Sequence, residues 1–158
     1  MDTLKMEFMR VALRLARENL DARHGGPFGC VVVKDGVIIA EGYNEVISNN
    51  DPTGHAEIVA IRKACAKLGT YQLEGCEVYS SCEPCPMCLG AIYWARPAKF
   101  YFSASRYDAA AAGFDDAHIY DEIILDPPGR VIPGEQLLEK EGAAIFQRWK
   151  ELDLDINY

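Results

Sequence analysis

Basic residues are scarce in this 158-residue chain, where 16 Lys and Arg face 24 Asp and Glu, for a formal charge of −8 and a pI near 4.9. Its long-range field repels polyanions, which argues against long nucleic acids and anionic membranes as partners. Long apolar runs are missing too. No stretch approaches the roughly 20 apolar residues of a membrane span. The start of the chain, with Asp2 and Glu7 beside Lys5, has no apolar segment of signal-peptide length. We therefore expect a soluble cytoplasmic protein. Internal repeats and linker-like composition are also lacking, and the absence of a phosphate-cradling Gly-rich loop argues against a nucleotide ligand.

What is present is the composition of a folded domain. Hydrophobic residues make up 49% and charged residues 25%, which excludes disordered and collagen-like chains. The length suits one core, so we expect a single domain over residues 1–158. Leu4, Phe8, Val11, Leu15 and Leu20 recur at helical spacing until Gly25-Gly26-Pro27 breaks the pattern. Two β-prone runs, 28–33 and 37–41, flank Lys34-Asp35-Gly36, a strong hairpin signal. Turn chemistry over 49–54 precedes a helix beginning at or just before His55 and ending at Gly69. A strand at 76–81, a helix at 86–94 and a strand at 98–103 imply a parallel crossover. A short alanine-rich helix over 108–112 should close at Gly113, and Pro127 to Gly134 form an irregular connection. Residues 136–152 then read as a helix resembling an appendage. Trp94 and Trp149 are expected in the core.

The chemistry concentrates in two segments. His55-Ala56-Glu57 is followed about thirty residues later by Cys82-Glu83-Pro84-Cys85-Pro86-Met87-Cys88. One imidazole and two thiols three residues apart suit zinc, with Pro86 fitting the first turn of a helix whose N-terminus favours thiolates. A Cys-x-x-Cys pair alone also fits a redox dithiol, but that chemistry has no need of His-x-Glu. A hydrolytic zinc site needs a third ligand, an open position for water and a base that is not a ligand. An iron–sulfur cluster lacks its fourth cysteine, since Leu89-Gly90-Ala91-Ile92 follows Cys88. A closed structural site would recruit Cys82 and leave Glu57 a surface acid. His55 and Glu57, two residues apart, share no helical face, so only the end of a helix can aim both at one metal. His24 and His118 have no partners at ligand spacing and read as surface or turn residues.

His-x-Glu followed by Pro-Cys-x-x-Cys is the pattern of zinc deaminases, with the glutamate as proton carrier. Beyond it, 25–29, 49–57, 81–96 and Ala112-Gly113-Phe114-Asp115-Asp116 resemble the bacterial guanine deaminases of the cytidine-deaminase superfamily over nearly the whole chain. The zinc motif is specific to the superfamily only; Gly113-Phe114-Asp115-Asp116 and the terminal Tyr158 point to the guanine branch. The resemblance implies a three-layer α/β/α fold with a central mixed sheet and a helical C-terminal tail. It also implies a homodimer, with a segment from about 127 to 158 exchanged between subunits to close the partner's site. One zinc ion per chain would sit on His55, Cys85 and Cys88, with Glu57 catalytic, and guanine would be hydrolysed to xanthine and ammonia.

By the same resemblance Phe28 would stack on the purine, Asn44 would hydrogen-bond a ring substituent, Asp116 would accept from the ring edge and Tyr158 would reach in from the C-terminus. From local pattern alone, Phe28 equally suits a core position beside a turn, Asn44 a strand end, and Asp115 and Asp116 a solvated turn. Competing substrates are guanosine, cytosine and ammeline, among which pocket shape decides, and the wobble adenosine of tRNA, against which the acidic charge argues.

Overall fold

A computed structural model describes residues 3–114 and 116–153; Asp115 and Tyr158 fall outside them. The chain divides into two compact units, one ending at Tyr120 and one starting at Asp121. The first unit is built on a four-stranded sheet in the order β2-β1-β3-β4, from β1 (Gly29–Lys34), β2 (Val37–Tyr43), β3 (Cys76–Cys82) and β4 (Lys99–Ala104). Strands β1 and β2 form the expected hairpin, turning through Asp35 and Gly36, both at positive φ. β1 is also antiparallel to β3, whereas β3 and β4 are parallel and joined by α4 (Pro86–Ala95). The sheet is therefore mixed.

Helices cover both faces. α1 (Thr3–Ala22) buries Phe8, Ala12, Leu15, Ala16 and Asn19, a stripe at helical spacing that packs on Val31, Val33 and Tyr79. α3 (Ala56–Leu68) covers the other face, where Ala56, Ala60 and Ala64 meet Cys30, Val32, Ala40 and Val78, together with Ala95 of α4. The close approach of each helix depends on a glycine in the sheet. A Cβ at Gly29 would strike the Ala12 carbonyl and stand 2.7 Å from the Ala16 nitrogen; one at Gly42 would strike the Ala56 carbonyl and stand 2.7 Å from the Ala60 nitrogen.

Smaller pieces complete this unit. A single turn, α2 (Val46–Asn49), closes the loop after β2. α5 (Arg106–Ala111) starts two residues earlier than the alanine run predicts, because Ser105 and Asp108 form a capping box. α6 (Asp116–Ile123) stands where sequence pattern suggests a polar turn. In the second unit a 3₁₀ turn at Pro127–Gly129 precedes α7 (Glu139–Glu151).

Both tryptophans correct the expectation of core positions, being 63% (Trp94) and 48% (Trp149) exposed. α4 buries Cys88, Ile92 and Ala95, a stripe that leaves Trp94 outside, and α7 buries none of its residues. His24 and His118 are exposed, as expected. No described helix is long and apolar enough to cross a membrane.

Candidate active site

The N-terminal ends of α3 and α4 meet at the end of β3. His55 is the N-cap of α3 in an extended conformation (φ −71°, ψ 153°), and Glu57 lies in the helix's first turn. This resolves the spacing problem: His55 projects from outside the helix, so it does not have to share a helical face with Glu57. Cys85 is likewise the extended N-cap of α4, with Pro86 at the first helical position and Cys88 one turn on. The Cys88 amide donates to Cys85 Sγ at 3.5 Å.

Three donor atoms converge. His55 Nδ1 lies 3.5 Å from both Cys85 Sγ and Cys88 Sγ, and among the described residues this is a cluster able to hold a metal ion. Tetrahedral zinc with Zn–S ~2.3 Å and Zn–N ~2.0 Å separates neighbouring donors by ~3.5 Å, so these residues fit the ion in both kind and spacing. The Cys88 thiol, which donates to Cys85, holds Cys85 far below the ordinary thiol range, at about 4, against the effect of burial and with His55 adding to it. The same shared proton and burial push Cys88 up, and hydrogen bonding to Cys85 raises His55. Cys82 stays out of the cluster: it is a buried strand-end thiol 3.6 Å from the Ser105 carbonyl.

Glu57 is only 5% exposed. Burial pushes its carboxyl above the ordinary range, opposed by its own amide, by Ser80 and by the Cys88 thiol. Ser80 Oγ donates to Glu57 Oε1 at 2.8 Å. A carboxyl group shifted up by burial takes up a proton more readily than an exposed one, which suits a group that carries protons.

Glu57, His55 and Cys85 line a cavity of about 470 Å³, of a size for a small heterocycle. Phe28 lines it as well, its ring edge-on to Phe114 at 4.9 Å between centroids. Asn44 is buried at the rim, where the amides of Gly26 and Val46 both donate to Oδ1 at 3.2 Å. With Oδ1 so engaged, Nδ2 is the group left for the cavity. Asp116 also lines the cavity, and its Oδ1 is buried without a hydrogen-bond partner among the described residues. A carboxylate in that state is a waiting acceptor.

The segment carrying Cys85 is braced by residues that sequence reasoning did not single out. Glu83 accepts from the Arg106 amide (3.0 Å) and pairs with its guanidinium (3.2 Å). That guanidinium lies 4.2 Å from the Tyr120 ring centroid, and the Tyr120 hydroxyl donates to the Pro84 carbonyl at 2.7 Å. Through Tyr120, α6 is tied to the segment that leads into Cys85, with Asp116 at its start. Met87, Pro52 and Ile47 were also missed as lining residues; nothing in their spacing marks them.

A His-Cys-Cys donor set beside a buried carboxylate that is not a ligand has the chemistry of a zinc-dependent hydrolase. The model of the cytidine and deoxycytidylate deaminase zinc-binding region matches residues 2–104, and the chain belongs to that family. Among its relatives, a guanine deaminase of Bacillus subtilis is 57% identical over 143 residues, covering 90% of this chain and 92% of that one. A tRNA-specific adenosine deaminase of Aquifex aeolicus is 45% identical over 100 residues, covering 63% and 66%. A crystal structure of the Bacillus subtilis guanine deaminase superposes with a TM-score of 0.91 at 53% identity over 97% of each chain. A guanine deaminase structure from Nitrosomonas europaea gives 0.66 at 39% identity, covering 69% of this chain and 63% of that one.

Proposed function

We propose that the chain hydrolyses guanine to xanthine and ammonia, with one zinc ion per chain held by His55, Cys85 and Cys88 and with Glu57 as proton carrier. The observation that carries this reading is the buried Glu57 carboxylate beside the three-donor cluster at the wall of a purine-sized cavity. The chain's 57% identity to a guanine deaminase selects the substrate.

When bound, zinc supplies an acidified water as the nucleophile at neutral pH. Glu57 takes a proton from the attacking water and passes it to the ring nitrogen adjacent to the amine-bearing carbon. It then assists departure of the amine, so that water and guanine leave as ammonia and xanthine. Phe28 stacks on the purine, Asn44 Nδ2 donates to a ring acceptor and Asp116 Oδ1 accepts from a ring N–H.

The active form in this reading is a cytoplasmic homodimer. From Asp121 onward no described residue is buried, and Ile132 is 85% exposed, so the described residues of this unit form no core of their own. A segment of that kind folds stably only against something else. Exchange of residues from about 127 to 158 between subunits would give this segment the partner subunit to pack against and would deliver Tyr158 to the partner's site, so that the whole chain works as one deaminase domain. Light scattering should return twice the 17.6 kDa of one chain.

Ammonia release across guanine, guanosine, cytosine, cytidine, ammeline and tRNA tests the substrate. Guanine should lead; if it ranks among the poorest, the guanine reading fails while the zinc hydrolase survives. Glu57→Gln should keep about one zinc per chain and lose roughly 10²–10⁴-fold in rate. Full activity in that variant would remove Glu57 from the chemistry.

A further inference from the structure

One buried polar side chain at the site has no part in the mechanism above. Ser80 follows Cys76 and Val78 on the row of β3 that faces α3, in a setting that is otherwise apolar. Its register partner on β1 is Cys30, which is fully buried. At 2% exposure Ser80 has no water to turn to, and its Oγ donates 2.8 Å to Glu57 Oε1. The next residue, Ser81, does a different job on the opposite face, accepting from the Gly29 amide at 3.0 Å.

We propose that Ser80 is a positioning residue for deamination: its hydroxyl ties Glu57 Oε1 to the sheet and leaves Oε2 as the oxygen that carries the proton. The inference rests on Glu57 being the proton carrier. A carboxyl group turns easily about its terminal torsion, whose energy wells are broad. An unpinned Glu57 would interchange its two oxygens between proton uptake and delivery. A serine hydroxyl has one hydrogen to give. Donated to Oε1, it remains satisfied when Glu57 is ionised and when the acid carries its proton on Oε2. Protonation on Oε1 would turn that bond round, with the acid donating to Ser80 Oγ, and would leave the serine hydrogen in need of a new acceptor in a buried, apolar setting. The proton therefore arrives at and leaves from the same oxygen, with no rotation of the carboxyl group between the two transfers.

The test uses the full zinc-loaded chain with guanine. Ser80→Ala should lower kcat by about 10- to 100-fold, the equivalent of one hydrogen bond to a charged group. KM should stay within about threefold, with about one zinc per chain. Ser80→Thr, which keeps the hydroxyl, should recover most of kcat. In a Glu57→Gln background, Ser80→Ala should slow the residual rate no further. The inference is overturned if kcat of Ser80→Ala stays within about twofold of the parent. It is equally overturned if kcat, KM and zinc content fall together in both variants, the mark of a merely structural residue. An inert Ser80→Ala beside an inactive Glu57→Gln removes this inference alone; an active Glu57→Gln removes the proton-carrier reading with it.

Discussion

Gly42→Ala should damage the active site from beneath it. Gly42 lies on β2 directly under the first turn of α3, and a Cβ there would stand 2.7 Å from the Ala60 nitrogen and 3.1 Å from the Ala60 Cβ. Heavy atoms in good contact sit roughly 3.5–4.0 Å apart, so α3 would have to recede by about 0.5–1 Å. The Ala56 carbonyl, also struck, lies between His55 and Glu57, so both residues would move with it. Overpacking of this kind costs about 1–3 kcal/mol, which for a chain of this length lowers Tm by roughly 3–10 °C. A displacement approaching 1 Å costs catalysis about 10²-fold. Thermal scans, zinc content and guanine turnover on one preparation would measure both effects. Gly29→Ala supplies the contrast, because it strikes α1, which carries none of the site's side chains; it should lose comparable Tm but clearly less kcat. A Gly42→Ala protein with parental Tm and turnover would refute the tight seating of α3, as would equal kcat losses in the two variants.

Asn44→Asp keeps an acceptor for the Gly26 and Val46 amides but loses the Nδ2 donor. KM for guanine should rise about tenfold with Tm little changed, whereas Asn44→Ala should lose both; an unchanged KM in Asn44→Asp would remove Asn44 from recognition. Cys82→Ser should keep about one zinc per chain, since Cys82 is bonded to the Ser105 carbonyl and lies outside the donor cluster; loss of zinc would revive a closed structural site. Glu77 is held below its ordinary value of 4.5 chiefly by the Tyr79 hydroxyl, with Tyr101 and Lys5 contributing. A depressed carboxylate stabilises the fold fully above its unfolded pKa, and that stability is lost as pH falls through the lower folded value. Thermal scans should therefore find Glu77→Gln weaker than the parent near neutral pH, with the gap closing as the pH falls below the ordinary value of 4.5; a gap independent of pH would contradict this.

Much of the fold was legible because its signals are local. The α1 stripe, the Asp35-Gly36 turn and the β3–α4–β4 crossover each follow from a periodicity bounded by a breaker. The donor set was legible for a similar reason, since His55, Cys85 and Cys88 are rare residue types at a recognisable spacing. What escaped depends on contacts between distant segments. α2 is a single turn shaped by the loop's closure, in which the Glu45 amide donates to the Gly54 carbonyl. α6 begins at Asp116, which reads as part of a turn, yet Tyr120 fastens it to Pro84, 36 positions away. Ser80 could have been marked: a hydroxyl alternating with Cys76 and Val78 on a buried row demands a partner, although nothing local says that the partner is Glu57. Trp94 misled because its size suggests the core, whereas the α4 stripe of Cys88, Ile92 and Ala95 excludes it.

The site's charge economy follows from where the two helices start. Helix N-termini present unpaired amides and the positive end of the dipole, which favour thiolates and carboxylates. α3 brings Glu57 in its first turn and α4 brings Cys85 as its N-cap and Cys88 one turn later, so three groups that work as anions sit at two such ends. Burial pulls the other way, and for Glu57 it prevails: the carboxyl is shifted up despite its own amide and Ser80. The helix ends thus keep an anion tolerable where it is buried, while burial favours its taking up a proton. The two helices are held together where Ile58 packs on Cys85 and Cys88. Enlarging or truncating Ile58 should therefore change the spacing between the His55 and cysteine ligands, so zinc affinity should suffer before the sheet does.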